Sequence, residues 1–120
     1  MRYFLDTYAM VEIINGNKNY FKYLNDELFT SIINLYELYY NLLKEKGKEI
    51  AKSYFMQYKD FIVKYTDEDI FEASEFKLKN RKNNISYADA LGYSISLSNN
   101  MIFLTGHKEF KGLHNVEFVK

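Results

Sequence analysis

The feature that most limits the fold is a pair of short apolar runs at opposite ends of the chain, Tyr3-Phe4-Leu5 and Met101-Ile102-Phe103-Leu104. Each is too short for a helix and stops on polar residues, Asp6-Thr7 and Thr105-Gly106-His107, so both read as buried strands. Val116-Glu117-Phe118-Val119 alternates as an edge strand does, and Leu28-Phe29-Thr30 adds a short fourth. Everything between reads as helix. Segments 7–15, 17–25, 31–46, 48–64, 67–80 and 87–99 carry apolar residues at spacings of three and four, with Gly16 and Gly47 as breaks. Strands separated by helices need crossovers, which makes the sheet mainly parallel and places helices on its faces. The expectation is a single α/β domain over residues 1–120, with a short-stranded, mainly parallel sheet as the middle of three layers.

Composition narrows the chemistry. A chain of 120 residues suits one compact core, and 12 Tyr and 10 Phe let it bury enough apolar surface without a metal or a disulfide. The absence of Cys excludes thiol catalysis and Cys-based zinc sites. With 16 basic and 16 acidic residues the formal charge is zero, so no global basic field points to nucleic acid and such a partner must be held locally. No apolar run is long enough to span a bilayer, and a first strand starting at Arg2 leaves no room for a signal peptide. A cytoplasmic protein with no membrane partner is expected.

Several familiar active sites are missing. His107 and His114 belong to neither a Gly-x-Ser-x-Gly elbow nor a His-Glu-x-x-His motif, and Gly47-Lys48 lacks the rest of a phosphate-binding loop. Carboxylates remain. In a parallel sheet the ligand crevice lies beyond the carboxyl ends of the strands, which puts Asp6 and the Thr105-Gly106-His107 turn in the privileged position.

Asp6 ends an apolar strand, where an acid must be hydrogen-bonded, paired or bound to a cation; capping the helix that starts at Thr7 would also account for it. Glu37 forms a polar stripe with Asn34 and Asn41 in a stretch otherwise made of Leu, Ile and Tyr. Such a stripe is either the solvated face of a helix or the lining of a wet internal cleft. Asp89 lies three residues after Ser86, the spacing of a capping box, yet a first-turn carboxylate beside the positive end of a helix is also held rigid for use as a ligand. Spacing alone leaves both readings of each acid open.

Taken together the segments resemble a family. Phe4-Leu5-Asp6-Thr7, Ser31 to Glu37-Leu38, Ile85-Ser86-Tyr87-Ala88-Asp89-Ala90 and Phe103-Leu104-Thr105-Gly106-His107-Lys108-Glu109-Phe110 are similar, in order and context, to the PIN-domain ribonucleases and particularly the VapC-type toxins. The family pattern is an Asp after the first strand, a helical Glu, a third acid opening a late helix, and Thr-x-Asp then Phe after the next strand. The resemblance covers essentially the whole chain. It departs at the fourth position, where His107 stands in place of the usual Asp.

The resemblance implies an endoribonuclease whose metal-binding, catalytic residues are Asp6, Glu37 and Asp89, with His107 as a fourth candidate ligand and Thr7 and Thr105 in support. Crowded carboxylates repel one another unless a cation neutralises them, and an all-oxygen set suits Mg²⁺ or Mn²⁺. His107 is either such a ligand, favouring Mn²⁺, or a bystander in an exposed loop. RNA phosphates would meet local cations, with Lys77, Lys79, Arg81 and Lys82 before the Asp89 helix as candidates and Lys108 and Lys111 beside the other motif. The solvated end of a helix accounts for the same cluster. The resemblance further implies a small cognate antitoxin and a homodimer, to which exposed members of Tyr36, Tyr39 and Tyr40 could contribute. The alternative is a PIN-like RNA-binding or protein-interaction module whose metal site is weakened by His107.

Overall fold

A computed structural model describes residues 1–120. Four strands, β1 (Arg2–Leu5), β2 (Glu27–Phe29), β3 (Ile102–Thr105) and β4 (Val116–Phe118), form one sheet in the order β2-β1-β3-β4. Every pairing is parallel, with Phe4 opposite Phe29 on one side and Phe103 on the other. Five α-helices supply the crossovers: α1 (Thr7–Ile14), α2 (Ile32–Lys46), α3 (Lys48–Tyr58), α4 (Asp67–Lys79) and α5 (Tyr87–Ser98). Alternation along β1 and β3 explains the layering. Tyr3, Leu5 and Leu104 join Met10, Leu35, Leu38 and Tyr58 in one core, while Phe4 and Phe103 join Ile85, Tyr93, Ile95 and Phe110 in the other. Both faces of the central strands are therefore covered, as their almost unbroken apolar sequence requires.

Two helical expectations need correction. Segment 17–25 forms a 3₁₀ helix at Lys18–Tyr23 rather than an α-helix. Its buried anchors, Tyr20 and Tyr23, stand three apart, and a helix of three residues per turn aims both at the core. Their hydroxyls donate to the Val119 carbonyl and to Glu117, each at 2.6 Å, so the same turn holds the C-terminal strand. The helix expected over 48–64 ends at Tyr58, tightens to a 3₁₀ turn at Lys59–Phe61, and gives way to extended Ile62-Val63. Thr30 competes there for the backbone: its N–H donates to the Phe61 carbonyl and its own carbonyl accepts from Val63 N–H at 2.8 Å. No helix is long and apolar enough to cross a membrane.

Candidate active site

The two central strands end side by side, so whatever follows β1 faces whatever follows β3. Asp6 is the residue after β1 and is fully buried. Its Oδ1 accepts the Ala9 N–H at 2.8 Å, capping α1, and its Oδ2 accepts the Thr105 hydroxyl across the sheet. One carboxylate thus both caps a helix and bonds across the sheet. Thr105 in turn accepts the His107 N–H at 2.9 Å, which ties the loop after β3 to the same carboxylate.

A second network fixes Glu37. The Thr7 hydroxyl donates to Glu37 Oε1 at 2.6 Å and accepts from Asn34 Nδ2 at 3.2 Å, while Ser31, the N-cap of α2, donates to Asn34 Oδ1 at 2.7 Å. Asn34 is wholly buried and Glu37 half-buried, so the polar stripe of α2 faces inward to a cleft. Gly92 makes room for this arrangement, since a Cβ there would come within 2.7 Å of Phe4 and 3.3 Å of Asn34 Oδ1.

Asp89 enters from the opposite layer. Ser86 caps α5 by accepting the Asp89 N–H at 3.0 Å, but the return bond that completes a capping box forms at Thr66–Asp69 and not here. Asp69 is a useful contrast. That buried acid has one oxygen bonded by Thr66 N–H and one by the Ser98 hydroxyl, and it neither borders the cleft nor acts on the acids there. Asp89 instead lines a cleft of about 370 Å³ with Thr7, Glu12, Glu37, Ser86 and His107.

Electrostatics ties the acids together. Burial first, and the charge of Asp89 second, push the Asp6 carboxyl well above its ordinary range; the Thr105 and Ala9 bonds pull it down and Glu37 pushes it up. Burial and then Glu37 push Asp89 up to about 6, opposed by His107 and Ser86. Asp6 thus senses Asp89 and Glu37, and Asp89 senses Glu37. No three Asp, Glu or His side chains converge tightly enough to enclose an ion unaided. Mg²⁺ asks for less, one or two carboxylates with water filling the remaining positions, and Glu37 and Asp89 line the open cleft while Asp6 adds charge from below the surface. His107 Nδ1 is buried with no hydrogen-bond partner, an acceptor or donor awaiting a mate. Mutually repelling oxygens beside an orphaned imidazole nitrogen fit a hard divalent cation.

The basic candidates divide. Lys77 donates to the Ile85 carbonyl and sits 4.6 Å from the Tyr87 ring centre, and Arg81 donates to the Leu78 carbonyl. Both line a separate, mostly apolar groove of about 490 Å³ between α4 and α5. Lys79 and Lys82 are exposed and line neither this groove nor the cleft, and Lys111 lies over the Phe118 ring. Lys108 alone of the group borders the acids, in a polar hollow that shares Tyr8 and His107 with the cleft. Of the tyrosines on α2, Tyr36 and Tyr40 are exposed while Tyr39 packs edge-on against Phe55. Sequence reasoning missed Ser31 and Tyr8. Ser31 was findable as an N-cap three residues before Asn34, whereas nothing local marks Tyr8.

Comparison with known proteins agrees with this fold. The family model of the PIN domain matches residues 3–114. Among solved structures, VapBC2 from Rickettsia felis, bound to a DNA fragment from its promoter, contains a chain 26% identical at a TM-score of 0.75, covering 99% of this chain and 98% of that one. VapBC-1 from nontypeable Haemophilus influenzae is 21% identical at a TM-score of 0.73, covering 100% and 98%. VapC20 of Mycobacterium tuberculosis, a sarcin-ricin loop cleaving toxin, is 16% identical at a TM-score of 0.70, covering 92% and 91%. The last two likenesses are of fold. Comparison with curated protein sequences gives no significant match.

Proposed function

The chain belongs to the PIN-domain family, and from that premise we propose that it is a metal-dependent endoribonuclease, the toxin of a toxin–antitoxin pair. One observation carries the proposal: Asp6 and Asp89, from distant segments, lie close enough beyond the central strands that burial and the charge of Asp89 push Asp6 up, and the charge of Glu37 pushes on both. The relatives support it. One is a toxin described as cleaving the sarcin-ricin loop, and two are VapBC assemblies.

In this reading Glu37 and Asp89 hold Mg²⁺ or Mn²⁺ at the cleft, with Asp6 reinforcing the negative field and His107 as a further candidate ligand. The chemistry a cation would supply there is Lewis acidity, which would polarise the phosphodiester and lower the pKa of water so that hydroxide could attack phosphorus as the ester oxygen leaves, with no protein nucleophile required. The chain's own residues supply position. Thr7, held by Asn34, fixes one Glu37 oxygen, and Thr105 fixes Asp6 and the His107 loop together. The first turn of α5 keeps the Asp89 backbone rigid and its carboxylate near unpaired N–H groups.

A cognate antitoxin and a homodimer belong to the same proposal. Exposed Tyr36, Tyr40, Phe71, Leu78 and Tyr87 leave apolar surface for partners to cover. Light scattering on the purified chain at tens of micromolar should show a dimer, and a monodisperse monomer would argue against it (concentration scale of a moderate interface, about −6 to −8 kcal/mol).

A PIN-like binding module without activity is favoured by one observation, that no three acidic or imidazole groups enclose an ion. Incubation of total cellular RNA with the protein and Mg²⁺ or Mn²⁺ separates the two, with Asp6→Asn as the control for contaminating nuclease. Cleavage that needs the metal and disappears in Asp6→Asn is expected. Binding without cleavage at any metal would leave the module.

A further inference from the structure

The cleft poses an electrostatic difficulty that its neighbour resolves. A polyanion entering between Glu12, Glu37 and Asp89 is repelled, and a bound cation at the acids offsets that only at the scissile phosphate itself. Immediately beside the cleft lies a polar hollow of about 520 Å³, within the range of small-ligand sites of about 300–1,000 Å³. The two share Tyr8 and His107, so a group lodged in the hollow is adjacent to a group at the acids. Lys108 and Lys120 line the hollow against a single acid, Glu109, which reverses the sign of the cleft.

Its walls have the chemistry of nucleotide recognition. Tyr8 is half-buried, and its ring lies on the loop after β3 at Gly106. A Cβ at Gly106 would collide with that ring and come 2.5 Å from the Val119 carbonyl, although the backbone there is not left-handed. Space, and not conformation, calls for glycine at 106. The ring is thereby fixed as a flat wall, with the Lys120 ammonium 5.7 Å from its centre. Asn83 and Asn84 line the same hollow and are exposed, each amide able to donate and accept on a base edge, and Asn84 is held in the left-handed region at φ 54°.

Resting on the endoribonuclease reading, we propose that this hollow binds the RNA nucleotide next to the scissile phosphate: Tyr8 stacks on its base, Asn83 and Asn84 read the base edge, and Lys108 and Lys120 hold its phosphate. Stacking on an aromatic wall is tolerant of sequence, whereas the amide pair is selective, so affinity and base preference are separately assigned.

The test is equilibrium binding of fluorescent single-stranded homopolymer RNA octamers, one for each base, read by anisotropy in EDTA so that binding is measured apart from cleavage. Lys108→Ala with Lys120→Ala should weaken binding of all four and flatten the plot of log affinity against log salt by about 0.7, the share of one neutralised phosphate on a single strand. Asn83→Ala with Asn84→Gly, the glycine retaining the left-handed backbone, should level the preference among bases and leave the salt slope unchanged. Tyr8→Leu should cost about tenfold or more for every base. All these side chains border solvent, and circular dichroism verifies the fold of each variant. If wild type cleaves RNA with Mn²⁺ while the variants keep its salt slope and base preference, the hollow is not the subsite and the nuclease reading stands. If wild type neither binds nor cleaves RNA, that reading falls and takes the subsite with it.

Discussion

Replacing Asp89 by Asn should stabilise the metal-free protein at neutral pH, against the usual effect of altering a buried residue. Asp89 is 7% exposed, and its carboxyl is pushed up to about 6 from an ordinary 3.8, chiefly by burial and secondarily by Glu37. That difference corresponds to about 3 kcal/mol of destabilisation once the group is ionised in the folded state. The folded protein holds the proton more tightly than the unfolded chain. Its contribution to stability is therefore fully present below about pH 3.8 and is lost as pH rises through about 6. Asn removes the loss, and also removes the second-largest push on Asp6, while its amide still needs partners in the cleft. The expected gain is about 2–3 kcal/mol at pH 7.5 in EDTA, or on the order of 10 °C in Tm for a chain of this length. Urea unfolding of both proteins between pH 4 and 7.5 measures it. The gap should be near zero at pH 4, open between pH 4 and 6, and stay constant above. Addition of Mn²⁺ should then raise the stability of wild type far more than that of the variant, since only wild type keeps the full set of acids. A gap that does not change with pH, or a variant less stable than wild type at pH 7.5 in EDTA, would refute the assignment of Asp89 to a strained acidic cleft.

Thr7→Val keeps the shape but strips Glu37 Oε1 and Asn34 Nδ2 of their shared partner, so it should cost about 1–3 kcal/mol in urea unfolding and weaken Mn²⁺ binding by calorimetry. Unchanged Mn²⁺ affinity would mean that Glu37 needs no positioning. His107→Asp should strengthen Mg²⁺ binding if position 107 faces the cation, because an anionic oxygen suits Mg²⁺ better than imidazole; equal affinities in the two proteins would show that it does not. Gly92→Ala drives a methyl to within 2.7 Å of the fully buried Phe4 ring and 3.3 Å of Asn34 Oδ1, and should lower stability by about 1–3 kcal/mol. A thermal melt indistinguishable from wild type would show that Phe4 can yield.

What could be read from the sequence was whatever depends on neighbours along the chain. The strand ends and the cap at Ser86 follow from spacing, and the polar stripe of α2 is visible as a stripe; that it faces inward is set by packing, and the grouping of Asp6, Glu37 and Asp89 comes from the family resemblance. Local pattern also suggested that Asp6 either caps a helix or serves the site, and the two oxygens divide that work between them. Long-range competition was not readable. The 48–64 pattern is helical by periodicity, but its end is taken by Thr30, which needs backbone partners beside β2. The basic residues illustrate the same limit: periodicity puts Lys77 and Arg81 just before the Asp89 helix in sequence, while in space they line another groove. The fit of Tyr8 on Gly106 joins the two ends of the chain through shape alone, and shape between remote residues leaves no trace in composition or spacing.

The bond between Asp6 and Thr105 has a consequence for how the molecule is made. Asp6 and Thr105 stand 99 residues apart, so their bond closes only once the segments carrying β1 and β3 have both been made and have paired; until then the carboxylate has only its helix cap. The α1 segment can form early, but α5 and β3 must dock before the acids face one another. A chain lacking β3 consequently lacks both Thr105 and the loop that carries His107, and its acidic cleft stays incomplete.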